Sequence, residues 1–297
     1  MLAPLLLGAL AVLLAWPVPL LLAGARWTRR SPAAALVLWQ SIAIAGGLSM
    51  IGALLTFGLQ PYGDHLVAGI LGLVRGEGEA DFWHVFALAG AVLLTGHLLL
   101  NLVLTVVTAE RDRRRHAQLL MLLSTPGADG SRVLDSPAPV AYCLPGALSS
   151  VTVVSAGLID LLDEPGMLAV IEHEKAHVRQ RHDVVLVAFR AWYMSLPWFP
   201  IAYRAQHEVG LLVELLADDH ARRAVDDSVL AQTITRVGEG HGASDALATR
   251  VERLGPDARP LPHPVEALVV AAAVSLLAVP TLLLLAPAVA DLAALAA

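Results

Sequence analysis

The sequence predicts an α-helical membrane protein that carries an α+β domain on its cytoplasmic side. Three observations predict it. The chain is 57% hydrophobic and only 15% charged, with a mean hydropathy of +0.66, whereas soluble domains carry roughly a quarter charged residues. Four apolar runs approach or exceed the roughly 20 residues that a bilayer-spanning helix needs. Between the third and fourth runs the pattern breaks into short β-like stretches and polar helices, around AVIEHEKAHVRQR at 169–181. The net charge of −6 and the lack of a long basic run speak against direct nucleic-acid binding. A single cysteine, Cys143, excludes an intrachain disulfide.

The first span is expected over about 2–25, with kinks at Pro17 and Pro19. It lacks a basic segment before its apolar run, so it reads as a retained span and not a cleaved signal. The second span, 33–58, is uncharged; the third covers 82–108 and contains His84, His97 and Asn101. His84 reads as interfacial and solvated, and His97 with Asn101 as an interhelical hydrogen-bonding pair. The last span is expected within 264–297, with Pro280 inside it, as membrane helices tolerate.

Arginine placement then orients the chain. RWTRR follows the first span and ERDRRRH follows the third, while the loop 60–81 carries Asp64, Glu77, Glu79 and Asp81 against a lone Arg75. Arg-rich loops stay cytoplasmic. A multi-pass protein of the cell (inner or plasma) membrane is therefore expected, with both termini outside and 109–263 in the cytoplasm.

Residues 109–124 read as a basic continuation of the third span, anchored at anionic lipid headgroups. RVLD, PVAYC and SVTVVS then suggest a small antiparallel sheet. LLDEPG signals a helix start, and the helix from about Pro165 into the 180s carries His173, Glu174 and His177. The apolar, aromatic segment 183–203 is broken by Pro197 and Pro200. It reads as a helix and loop at the inner membrane surface, or equally as a core helix.

His173 and His177, four apart, share one helix face and can reach one metal ion. A zinc ion lowers the pKa of its water to about 7, and Glu174, next to the first histidine, is placed to take the proton as general base. A catalytic zinc needs a third protein ligand. VELLADDHARR at 213–223 offers Glu214 first, with Asp219 and His220 as competitors. Asp218, one turn beyond Glu214, is placed to orient a ligating imidazole. Asp219, Arg222 and Arg223 read as a solvated, salt-bridged face.

AYCLPG, AGLIDLL, VIEHEKAHVRQRHD and ELLADDHA together resemble the BlaR/MecR-type signal-transducer peptidases, among the membrane-integral gluzincins. The resemblance covers the expected cytoplasmic region, about half the chain, and implies a gluzincin-like zinc metallopeptidase domain. It implies one zinc on His173, His177 and Glu214, Glu174 as base, and Asp218 as the outer partner. It implies that the strand Val140, Ala141, Tyr142 and Cys143 pairs with an extended substrate backbone. It further implies cleavage of a BlaI/MecI-type winged-helix repressor in response to an envelope signal. The family's known sensors add a penicillin-binding domain after the last span. This sequence ends at Ala297 and has no S-x-x-K acyl-acceptor motif, so direct β-lactam sensing is not expected of it. The outer loop 60–81 and the spans are its own candidates for sensing, with a separate sensor protein or self-association as the alternative. The alternatives are a quality-control metallopeptidase acting on membrane proteins, and a non-catalytic signalling scaffold. Of the remaining polar residues, His182 is expected to be exposed. His241 reads as part of a polar loop, with an oxyanion or substrate role as the alternative. Arg250 reads as an ordinary salt bridge, with bracing of the site as the alternative.

Overall fold

The computed structural model describes residues 2–127, 131–144, 151–239, 245–255 and 259–296. The chain begins with α1 (Leu2–Ala15) and α2 (Pro17–Ala23), the break falling at Trp16 just before Pro17. Then come α3 (Pro32–Gly58), the short α4 (Leu66–Arg75) and the 42-residue α5 (Phe82–Leu123). Asp81 starts α5 by accepting hydrogen bonds from the backbone N–H groups of Trp83 and His84 at 2.9 and 3.1 Å. The helix continues without a break through the basic segment, as expected.

A four-stranded sheet follows: β1 (Ser124–Pro126), β2 (Arg132–Leu134), β3 (Ala141–Leu144) and β4 (Val151–Ser155), in the order β1-β2-β4-β3. The sheet is mixed and not purely antiparallel, because β2 and β4 run parallel. β1, too polar and too short to show in the sequence, pairs antiparallel with β2.

The rest is helical: α6 (Ala156–Leu161), α7 (Glu164–Arg179), α8 (His182–Ser195), α9 (Pro200–Ala221), α10 (Asp227–Glu239), α11 (Asp245–Arg253) and α12 (His263–Ala296). Asp163 caps α7 by accepting from Gly166 N–H at 3.0 Å, which is the start that LLDEPG signals. Four segments are long and apolar enough to cross a membrane: Leu2–Ala23, Pro32–Gly58, Phe82–Leu123 and His263–Ala294. The last contains Pro280 and Pro287.

The segment 183–203 forms most of α8 and the start of α9, and both helices pack on apolar helices. α8 packs on α5, and α9 packs on α3. Gly47 of α3 makes room for Trp192 of α8, since a Cβ there would lie 3.2 Å from the indole ring. His97 Nε2 of α5 donates to the carbonyl of Ser195 at the end of α8, 2.9 Å away. Asn101 instead donates within α5, to the carbonyl of His97 at 2.9 Å. One buried cluster joins Leu14, Leu22, Trp39 and Ile42 of the apolar helices to Phe189 of α8 and Val209, Leu212 and Val213 of α9. A second joins Ala169 of α7, Ala221 of α9, and Leu230 and Ile234 of α10. α9 thus lies between the apolar bundle and the motif helix.

Candidate metal centre

The motif helix α7 presents His173 and His177 on one face, toward α9. His173 Nε2 lies 3.2 Å from His177 Nε2 and 3.4 Å from Glu214 Oε2, and His177 Nε2 lies 3.5 Å from Glu214 Oε1. These three residues form a group able to hold a metal ion. Bonds of about 2.0–2.2 Å in a tetrahedron put ligand atoms roughly 3.3–3.6 Å apart, so the spacing fits zinc. The chemistry of the donors fits as well. His173 Nδ1 faces Asp218 Oδ1 at 2.9 Å. A carboxylate accepts, so Nδ1 carries a proton, and Nε2 is the nitrogen turned into the group, free to ligate once its own proton is displaced.

α9 supplies both carboxylates from one face, since Glu214 and Asp218 are four residues apart. The competing candidates turn elsewhere. Asp219 pairs with Arg253 at 2.6 Å, and His220 Nε2 lies 3.6 Å from Glu172. Arg222 bonds Asp227 at 2.6 Å, as a salt-bridged face would.

Arg250 is more than an ordinary surface pair. Its guanidinium donates to both oxygens of Asp218, at 2.8 and 2.7 Å, and Nη1 lies 3.2 Å from Glu214 Oε2. Asp218 is only 1% exposed, so a bidentate cation beside it is what makes a buried carboxylate tolerable there. His182 overturns its expectation outright: it is 2% exposed, and its ring packs edge-on to His177 at 4.9 Å between centroids. His241 lies outside the described residues.

A cleft of about 280 Å³ opens at this group. His173, Glu174, Glu214 and Arg250 line one side, and Val170, Leu230, Ile234 and Val237 contribute an apolar wall. β3 forms one edge of the sheet and packs against α7. Ala141, Tyr142 and Cys143 lie in β3, paired with Val154, Val153 and Thr152 of β4. Val140 precedes the strand, its N–H donating to Ser155 Oγ at 3.0 Å. Among the described residues no strand pairs with the other edge of β3.

The charges of the group are strongly coupled. Burial works against the imidazolium of His173, but the Asp218 and Glu214 carboxylates outweigh it and lift its pKa to about 9. Burial, then the neighbouring His173 charge, brings His177 down to about 4 despite Glu214. Burial raises Glu174, and the negative charge of Glu214 adds to this against the pull of His173 and Arg250. For Glu214 and Asp218, burial is outweighed by His173 and Arg250, and both carboxyls titrate below their usual range. In the metal-free fold the protonated His173 and the Arg250 guanidinium together therefore balance the two carboxylates.

Residues 109–235 match the model of peptidase family M48, whose members are zinc-dependent metalloproteases. The matched stretch runs from within α5 through the sheet, α7 and α9, and ends before Arg250. No curated protein and no solved structure matches the chain. Together, the family match and the His173–His177–Glu214 geometry support a metallopeptidase with four helices able to span a membrane.

Proposed function

We propose that this protein is a membrane-integral zinc metalloendopeptidase that transduces an envelope signal by cutting a cytoplasmic winged-helix repressor of the BlaI/MecI type. The observation that carries the reading is the convergence of His173, His177 and Glu214 beside a cleft that Glu174 also lines, with α9, which carries Glu214, packed directly against the apolar helices. The resemblance of VIEHEKAHVRQRHD and ELLADDHA to the BlaR/MecR-type peptidases supports the substrate. The Arg clusters at 26–30 and 111–115 support a cytoplasmic site beneath the inner leaflet.

In the proposed mechanism His173, His177 and Glu214 hold one zinc ion. When bound, zinc acidifies a water and polarises the scissile carbonyl. Glu174 takes the water's proton as its oxygen adds to the carbonyl carbon, and returns it to the leaving nitrogen as the C–N bond breaks. A carboxyl raised by burial suits both halves of that exchange. Asp218, braced by Arg250, holds the His173 ring. The free edge of β3 (with Tyr142 40% exposed) holds the substrate backbone in extended form.

The test is incubation of the purified full-length protein in detergent with a purified BlaI/MecI-type winged-helix repressor, with and without chelator. A single cut that chelator abolishes and added zinc restores is expected. Broad cleavage of misfolded membrane proteins with the repressor spared would replace the signalling role by quality control. No cleavage of either substrate by zinc-loaded protein would favour a non-catalytic scaffold.

A further inference from the structure

The two histidines of the metal group are held differently, and nothing in the HExxH pattern specifies how the second is held. His173 leans on Asp218. The partner of His177 comes from beyond the end of its own helix. α7 stops at Arg179, and Arg181 then adopts φ 51°, ψ 44° before α8 begins at His182. This left-handed conformation is costly for a residue with a Cβ. It folds the chain back, so that His182, five residues past His177, lies against that ring.

The hydrogen bonds then specify a tautomer chain. His182 Nε2 lies 3.0 Å from Gln180 Oε1, and His182 Nδ1 lies 3.1 Å from His177 Nδ1. The amide oxygen only accepts, so the proton of a neutral His182 sits on Nε2. Its Nδ1 is then bare and accepts. His177 must therefore carry its proton on Nδ1 and donate it to His182. That leaves His177 Nε2 bare, 3.2 Å from His173 Nε2 and 3.5 Å from Glu214. The opposite orientation of the Gln180 amide would reverse every step and place a proton where a metal belongs. The buried position of His182, 2% exposed, keeps water from substituting for its Nδ1.

We infer that His182, oriented by Gln180, is a positioning residue that fixes the His177 tautomer for metal ligation. The inference rests on the zinc reading proposed above. It assigns His182 the part for His177 that Asp218 plays for His173. Outer-shell partners of this kind change metal affinity by about ten- to a hundred-fold when removed.

Zinc affinity of the full-length protein in detergent, measured by competition with a chromogenic chelator, tests it. His182→Leu keeps the bulk and removes the acceptor, and should weaken zinc by about ten- to a hundred-fold. His182→Asn puts an amide oxygen near the place of Nδ1 and should bind within a few-fold of the parent. A Leu variant that binds zinc as tightly as the parent overturns the inference and leaves the zinc site standing. An Asn variant as weak as the Leu variant overturns it too, since His182 would then act through packing. If the Leu variant fails to fold, the Asn variant decides alone, and a ten-fold loss in it counts against the inference. A parent protein that takes up no zinc removes both the inference and the reading beneath it.

Discussion

Nδ1 of His173 donates to Oδ1 of Asp218 across 2.9 Å, and Arg250 grips the same carboxylate through two nitrogens. A ligand histidine on α7, a carboxylate on α9 and an arginine on α11 therefore act as one unit. Asp218→Ala should leave Arg250 buried with only Glu214 to pair with, and the His173 ring free to turn. Losing one member of a buried pair costs about 3–5 kcal/mol, and losing the imidazole's partner costs about ten- to a hundred-fold in zinc affinity. Thermal unfolding and chelator competition would read the two effects separately. A variant as stable as the parent would show that the unit carries no weight.

Glu174 lines the cleft beside His173 without belonging to the metal group. Glu174→Gln should therefore hold one zinc as the parent does while proteolysis falls by about 10²–10⁴, the range for a lost general base. Metal content and repressor cleavage on one preparation would check both halves. Undiminished cleavage would take the base role from Glu174.

Zinc uptake should release a proton. His173 is raised from its ordinary value of 6.5 to about 9 in the metal-free fold. A group raised in this way contributes stability that is full below 6.5 and is lost as the pH climbs through about 9. Between those values the folded protein still holds the proton that zinc must displace. Zinc affinity should accordingly rise with pH through this window. Calorimetric titration at about pH 7.5, in buffers of different ionisation heat, should show about one proton released per zinc. Binding heats that do not change with buffer would contradict the charged His173.

α9 presents Glu214 and Asp218 to the metal group, and Leu212, 2% exposed, to the cluster shared with Trp39 and Ile42 of α3. Leu212→Ala should cost about 2–5 kcal/mol. The expected readout is a lower unfolding temperature in detergent, with loss of bound zinc in the same transition. Zinc lost well before the apolar bundle unfolds would show that the two faces of α9 are independent.

What could be read along the chain is what depends on near neighbours. Apolar run length placed four helices able to span a membrane, and the capping signal at Asp163 placed the motif helix. The 3.6-residue period put His173 and His177 on one face, and likewise Glu214 and Asp218. Strand positions were legible from β-branched runs, but the parallel pairing of β2 with β4 was not, because partner and direction are chosen by residues far apart in sequence.

Tertiary packing alone decided how these pieces meet. Glu214, and not Asp219 or His220, faces the histidines because α9 is rotated by its fit against α3 and α7, a long-range property that helix periodicity does not contain. Arg250 enters the group because α11 folds across α9. His182 is buried because Arg181 takes a left-handed turn that its residue type does not announce. A helix's own period fixes which of its side chains share a face, but the packing of other helices fixes what that face meets.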